Sequence, residues 1–200
     1  MEKLIVFGQE STALEIKSAC EQRYQVICVH FEENFTNQIP DFSLETTFKY
    51  IISFSNYELR NKCIIQLSLY KNFIAETIIH ASAIIDKGAI IGKGCFIAAG
   101  AIISTNAIVK DHSIINIGSS IGHDALIGNN VFILPGVRVS GNVKIGDWCI
   151  LGSNSFIKQN LVIGDWCYID AMSKIESDIP EKKMIRSIFK NQIMENILIR

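Results

Sequence analysis

From Ile79 to Pro180 an aliphatic side chain recurs at every sixth position, through seventeen units with no inserted or deleted residue. The series opens with Ile79, Ile85 and Ile91 and closes with Ile163, Ile169 and Ile175. Four places after each stands a mostly small residue, as in Ala83, Ala89, Cys95, Ala101, Ala107 and Ser113. A period of six fits neither an amphipathic helix nor an ordinary strand. It predicts a parallel β-helix, in which short strands and turns wind round a triangular prism. The aliphatic residue then lines the inside of each face, and the small one fits beside it at the fold into the next. Three units per coil give between five and six coils, a prism about 27 Å tall at roughly 4.8 Å per coil.

Residues 1–75 follow a different pattern. Lys3–Phe7 reads as an apolar strand ending at Gly8, and Thr12-x-x-Glu15 as a capping box opening a helix to about Gln22. Tyr24–Phe31 and Phe48–Phe54 read as strands, with Glu32–Glu45 a loop between them. Ser55-x-x-Glu58 is expected to cap a second helix with Leu59, Cys63, Leu67 and Tyr70 on its apolar side, before a short strand at Phe73–Ala75. This β-α-β-β-α-β order predicts a small Rossmann-like parallel sheet. Ligands of such sheets sit at the carboxyl ends of the strands, here Gly8–Thr12, Glu32–Glu33 and Ser53–Tyr57. The expected organisation is an α/β domain over 1–75, a β-helix over 76–180 and a capping tail over 181–200. The first domain is expected to cap one end of the prism, and the tail the other end or a neighbour.

Charge and composition narrow the function classes. A formal net charge of −1 gives no footprint for nucleic acid or an anionic membrane. The longest uncharged run, Gly94–Val109, keeps the six-residue phase and is broken by polar residues, so no membrane insertion is expected. Met1-Glu2-Lys3 leads straight into a strand without signal-peptide features, which points to the cytoplasm. Of the six cysteines, Cys95, Cys149 and Cys167 occupy the small inward slot, and no C-x-x-C pair suggests a metal or disulfide framework.

Polar residues at the outward places and turns are the candidates for chemistry. They are densest over Asn116–Asp124, where His123 is the third residue of its unit, beside Gly122. An outward neutral imidazole is suited to general-base work near pH 7. Trp148 and Trp166 stand eighteen residues apart, one coil above the other, and packing between subunits is preferred over stacking on an adenine ring. His80 reads as structural, and His30 and His112 carry no signal.

Three stretches carry a family resemblance. They are the segment Ile115–Gly128, the segment Ser140–Asn154 (SGNVKIGDWCILGSN), and the small β-α-β domain leading into Ile78-Ile79-His80. Over roughly residues 1–180 the chain resembles the hexapeptide-repeat sugar O/N-acyltransferases, the sialic acid O-acetyltransferase and UDP-4-amino-sugar N-acetyltransferase type. The resemblance implies a left-handed β-helix and transfer of an acetyl group from acetyl-CoA to the amine of a nucleotide-linked amino sugar in surface-glycan biosynthesis. It implies His123 as general base, Asp124 as its acidic support, and Asn116 as a substrate contact. The Gly141 N–H would polarise the thioester carbonyl, and the Ala171 backbone would meet pantetheine. Gly8, Thr12, Glu32 and Glu33 fall where the nucleotide-linked sugar would bind. No metal is implied. The family site lies between subunits of a homotrimer, with coenzyme A in the groove between prisms. Strand alternation leaves open whether Asp124 reaches His123 directly or across a subunit boundary.

The chain departs from the family pattern in three places. Its first turn is Gly8-Gln9-Glu10-Ser11-Thr12-Ala13 in place of a glycine-rich one, its last coil carries Asp170-Ala171-Met172-Ser173, and Ser187-Ile188-Phe189-Lys190 replaces a closing G-x-P-A. Sugar O-acetylation uses the same base and stays open, as does a catalytically weak trimeric scaffold. Zinc chemistry on this fold needs three converging histidines, and His112 and His123 have no suitably placed third.

Overall fold

The computed structural model describes residues 1–187 apart from Gln9, Glu33 and Asp41. The first domain is a four-stranded parallel sheet: β1 (Glu2–Phe7), β2 (Tyr24–Val29), β3 (Phe48–Ile52) and β4 (Phe73–Ala75), in the order β2-β1-β3-β4. Helix α1 (Ser11–Cys20) links β1 to β2, and α2 (Tyr57–Ser68) links β3 to β4. Leu4–Phe7 are all fully buried because the sheet is covered on both faces. Leu4, Val6 and Ile51 pack with Ala13, Ile16 and Cys20 of α1, while Ile5, Phe7 and Ile52 face Cys63 and Leu67 of α2. Phe35 and Ile39 of the β2–β3 connection are buried against that second side, so the stretch expected as plain loop carries part of the core and a short 3-10 turn, Phe35–Gln38.

Both helix starts differ from the sequence reading, α1 by two residues and α2 by one. Glu10, with no side-chain cap bond, stands at the N-cap of α1, so Thr12-x-x-Glu15 forms no capping box. Asn56 rather than Ser55 caps α2, its Oδ1 accepting the Leu59 N–H at 3.0 Å. Where each strand releases the chain decides the cap, and that lies outside the local motif.

The repeats form the prism expected. Two-residue strands six apart pair in register with the strand eighteen residues on, as Ile97 with Ile115 and Ile115 with Ile133. They make a first face of seven strands (Ile78–Ile79 to Met184–Ile185), a second of six (Ile84–Ile85 to Lys174–Ile175) and a third of five (Ile90–Ile91 to Val162–Ile163). The inward residues Ile97, Ile103, Val109, Ile115, Ile127 and Ile133 are fully buried with Cys95, Ala101 and Ala107. All six cysteines are free thiols.

The first domain does not cap the prism end. It lies along the flank, where outward Ile78, Phe96, Ile114 and Phe132 of the first face join the cluster of Leu4, Val6 and Ile16. The inward Ile79 of the first coil accordingly stays 41% exposed. The signal was present in the chain: the residue before each inward aliphatic is Ile, Phe, Ile, Phe and Ile at 78, 96, 114, 132 and 150, every eighteenth position. Two side chains pin the contact. Arg60 of α2 is buried, and its guanidinium donates to the carbonyls of Ile52 (3.0 Å), Phe54 (2.9 Å) and, across the interface, His112. Burial lowers the Arg60 pKa to about 10. Tyr57 packs edge-on against Trp166, which stacks on Trp148 at 5.0 Å. The paired indoles therefore meet the chain's own first domain, where packing between subunits was expected. Of the tail, residues 188–200 lie outside the described residues, so its expected capping role does too.

Candidate functional site

The corners of the prism are tight turns whose fourth-place residue takes a left-handed backbone. Asn106, Asp124, Asn142 and Asn160, stacked at the corner between the second and third faces, have φ of 57°, 57°, 57° and 63°. Asn and Asp tolerate this region better than other side chains, which explains their recurrence there. The turn holding His123 is tied to both neighbouring coils. The Asp124 N–H donates to the Thr105 carbonyl at 2.9 Å, and the His123 carbonyl accepts the Asn142 N–H at 2.9 Å.

The turn also brings adjacent side chains together, which an extended strand would not. His123 Nδ1 lies 2.8 Å from Asp124 Oδ2, so the aspartate reaches its histidine directly, within one chain. Alternation applies to strands, and both residues stand on a corner. Asp124 Oδ1 accepts a second hydrogen bond, from Asn106 Nδ2 at 3.1 Å. These two contacts, the one from His123 larger, hold the Asp124 carboxyl below its usual pKa. A carboxylate only accepts, so the neutral ring places its hydrogen on Nδ1 and leaves the Nε2 lone pair free. That edge of the ring lies over Gly141: a Cβ built there would fall 2.4 Å from Nε2 and 2.6 Å from Cε1. Among the described residues no acceptor pairs with the Gly141 N–H. The corner thus sets a basic nitrogen beside an unused amide donor, with both His123 and Asp124 open to solvent.

The other expected residues stand elsewhere. Asn116 lies at the corner between the first and second faces, buried, its Oδ1 accepting the Ile117 N–H at 2.7 Å. One chain does not bring it to His123. Ala171 shares the Asn116 corner, three coils on, and its N–H already donates to Asp170 Oδ1 at 3.0 Å. In the first domain the strand order reverses between β1 and β3, where a ligand crevice is expected. A cavity of about 230 Å³ opens there, lined by Gly8, Glu10, His30, Phe31, Phe54 and Leu59. Gly8 has φ of +133°, and a Cβ on it would fall 2.0 Å from Ser53 Oγ, so the close approach of the β3 end already requires glycine. A second cavity of about 480 Å³ shares Phe31 and Leu59 and adds Glu32, Lys62, Ile65, Gln66 and Leu69. Glu32 accepts from Gln38 Nε2 at 2.5 Å. Thr12 is half-buried in the first turn of α1 and lines neither cavity. Glu33 lies outside the described residues. Sequence reasoning missed Asn106, whose signal was an Asn one full coil before Asp124, and Phe31, which had none.

Among the described residues no three His, Cys, Asp or Glu side chains are placed to hold a metal ion. No helix among them is long and apolar enough to cross a membrane.

Residues 124–159 match the model of the bacterial transferase hexapeptide (six repeats), and residues 78–105 that of the hexapeptide repeat of succinyl-transferase. No curated protein matched the chain. Among solved structures, it is similar to the acetyltransferase domain of PglB from Neisseria gonorrhoeae FA1090, at 25% identity and a TM-score of 0.81, over 92% of this chain and 96% of that one. The same domain is known in complex with acetyl coenzyme A, at 25% identity, a TM-score of 0.80 and coverage of 92% and 95%. WeeI from Acinetobacter baumannii AYE shares the fold at 20% identity and a TM-score of 0.79, over 92% and 96% of the two chains. Repeat matches within the prism, joined to a likeness that spans both domains, show a chain that carries transferase-type hexapeptide repeats on a left-handed β-helix and is similar over most of its length to a sugar-acetyltransferase-type domain.

Proposed function

We propose that the protein transfers an acetyl group from acetyl-CoA to the amine of a nucleotide-linked amino sugar, with His123 as general base. The observation that carries this reading is the His123–Asp124 pair, whose free Nε2 edge lies over Gly141 beside an unused backbone N–H. The likeness to a PglB acetyltransferase domain seen with acetyl coenzyme A supports the donor. The sugar amine attacks the thioester carbonyl carbon, forming the C–N bond, while Nε2 takes the amine proton. The Gly141 N–H holds the developing oxyanion. The C–S bond then breaks, and the thiolate of coenzyme A leaves with the proton from the imidazolium. Asp124 keeps the ring in the correct tautomer and offsets its positive charge.

Asn116 stands at a different corner, so in this reading the site is completed between copies, with Asn116 and Ala171 of one prism facing His123 of the next. The apolar outward residues of the second and third faces, Ile84, Ile90, Ile102 and Ile108, are exposed and suit such a homotrimer. Gly8 and Glu32 border the two cavities of the first domain, which fit the nucleotide end of the sugar. Six free thiols suit a cytoplasmic enzyme that prepares sugars for a surface glycan.

The test is coenzyme A release across a panel of UDP-, dTDP- and GDP-linked 4-amino sugars. Release is expected with an amino sugar and should vanish in His123→Ala at unchanged oligomeric state. Silence with every amino sugar overturns the reading, and turnover confined to a hydroxyl-only sugar reassigns it to O-acetylation.

A further inference from the structure

We propose that Asn106 is a positioning residue for acetyl transfer, acting through Asp124 on the tautomer and aim of the His123 ring. The proposal rests on the reading of His123 as the base. Asp124 sits on an open turn, its side chain 46% exposed. A carboxylate so placed can rotate and share its oxygens with water, and the ring it supports then loses a fixed partner. Asn106, one coil below, prevents this. Its Nδ2 donates to Oδ1 at 3.1 Å, which leaves Oδ2 directed at His123 Nδ1, 2.8 Å away. The backbone supplies the frame, since the Asp124 N–H is held by the Thr105 carbonyl next to Asn106. Asn106 owes its reach to its own left-handed backbone, φ 57°, at the same place in the coil as Asp124. From the other side the ring is limited by the Gly141 backbone, whose missing Cβ leaves just the space the imidazole fills. Three successive coils therefore set one ring: an amide below, the carboxylate beside it and a bare backbone above.

Asparagine recurs along this corner at 142 and 160, each also in the left-handed region, and a turn-forming role alone would account for those. Among the described residues neither of their side chains bonds to His123 or Asp124, so Asn106 differs from them by its contact. Glycine keeps such a turn without strain, which separates the two roles. Asn106→Gly removes the donor and preserves the turn. Asn106→Asp is nearly isosteric and sets a second carboxylate against Asp124. Asn160→Gly makes the same backbone change where no such contact exists.

Kinetics and ¹⁵N NMR of the His123 ring in the full-length protein test this. Asn106→Gly should lower kcat roughly five- to tenfold with KM for acetyl-CoA within about twofold, and Asn106→Asp should lower kcat further. Asn160→Gly should keep the wild-type kcat. In both Asn106 variants the ring signal should move from the Nδ1–H form toward a tautomer mixture, a readout that needs no substrate. Unchanged kcat and an unchanged tautomer in Asn106→Gly overturn the proposal. Full turnover in His123→Gln would instead defeat the reading of His123 as base, while the tautomer measurement would still decide whether Asn106 sets the ring.

Discussion

His112 shows what one turn residue costs when a domain settles over it. It occupies the left-handed place of its coil, φ 57°, with its ring stacked on Tyr50 at 6.1 Å and its carbonyl taken by Arg60. Burial first, and the Arg60 guanidinium second, push its pKa down to about 4 from 6.5. The unfolded chain therefore binds this proton more readily than the folded one. Stability from this group is complete above pH 6.5 and is lost as the pH falls toward 4, by an amount on the order of 3 kcal/mol. Urea unfolding should show a midpoint that drops from pH 7 to pH 5. His112→Asn, which suits the same backbone and cannot titrate, should flatten that drop. An equal drop in both proteins would assign it to other groups.

At the scale of a turn, two glycines of one corner separate fold from chemistry. A Cβ on Gly122 would meet the backbone of the next coil, the Ser140 carbonyl carbon at 2.5 Å and the Gly141 nitrogen at 2.6 Å. The nearest atoms that a Cβ on Gly141 would meet, at 2.4–2.9 Å, all belong to the His123 ring, a side chain that can swing outward. Gly122→Ala should therefore lower the melting temperature by several degrees, a cost of about 1–3 kcal/mol. Gly141→Ala should melt near wild type yet lose acetyl transfer tenfold or more. Calorimetry beside a coenzyme A release assay reads both, and a reversed pattern would contradict the geometry. In the sequence Gly122 read as a turn former and Gly141, through the family resemblance, as a backbone donor; what was not legible is that the missing Cβ of each makes room, at Gly122 for the next coil and at Gly141 for the His123 ring. The His123–Asp124 contact was hidden for a related reason: the hexad shows which residues stand on corners, but not that a left-handed fourth residue swings its side chain onto its neighbour. The capping motif at Thr12 misled because the release of the chain from β1, a tertiary matter, set the helix start at Ser11.

For the whole molecule, the inward aliphatic series made the prism readable because burial enforces it in each unit from Ile97 to Ile169. Where the first domain docks was written in a second series, Ile78, Phe96, Ile114 and Phe132, which is visible only at a period of eighteen. Asn116 and Ala171 show the limit of that legibility: they share a corner of the prism other than that of His123, and the six-residue period does not say so until its units are wound three to a coil. The two periods carry a consequence for how such a chain can change length. Six added residues between Gly118 and Ser120 would keep every aliphatic inside, yet carry His123 one third of a revolution round the prism, away from Asn106, and the Trp148–Trp166 pair away from Tyr57. Eighteen added residues at the same place would restore the angular position of each downstream group, at a height about 4.8 Å greater. An insertion series should accordingly show melting temperatures that tolerate multiples of six, and a His123–Asn106 coupling, read by the ring tautomer, that is lost with six and twelve by rotation and with eighteen by the extra coil set between the two residues. Gain and loss of length by this fold is thus a rotation before it is an extension.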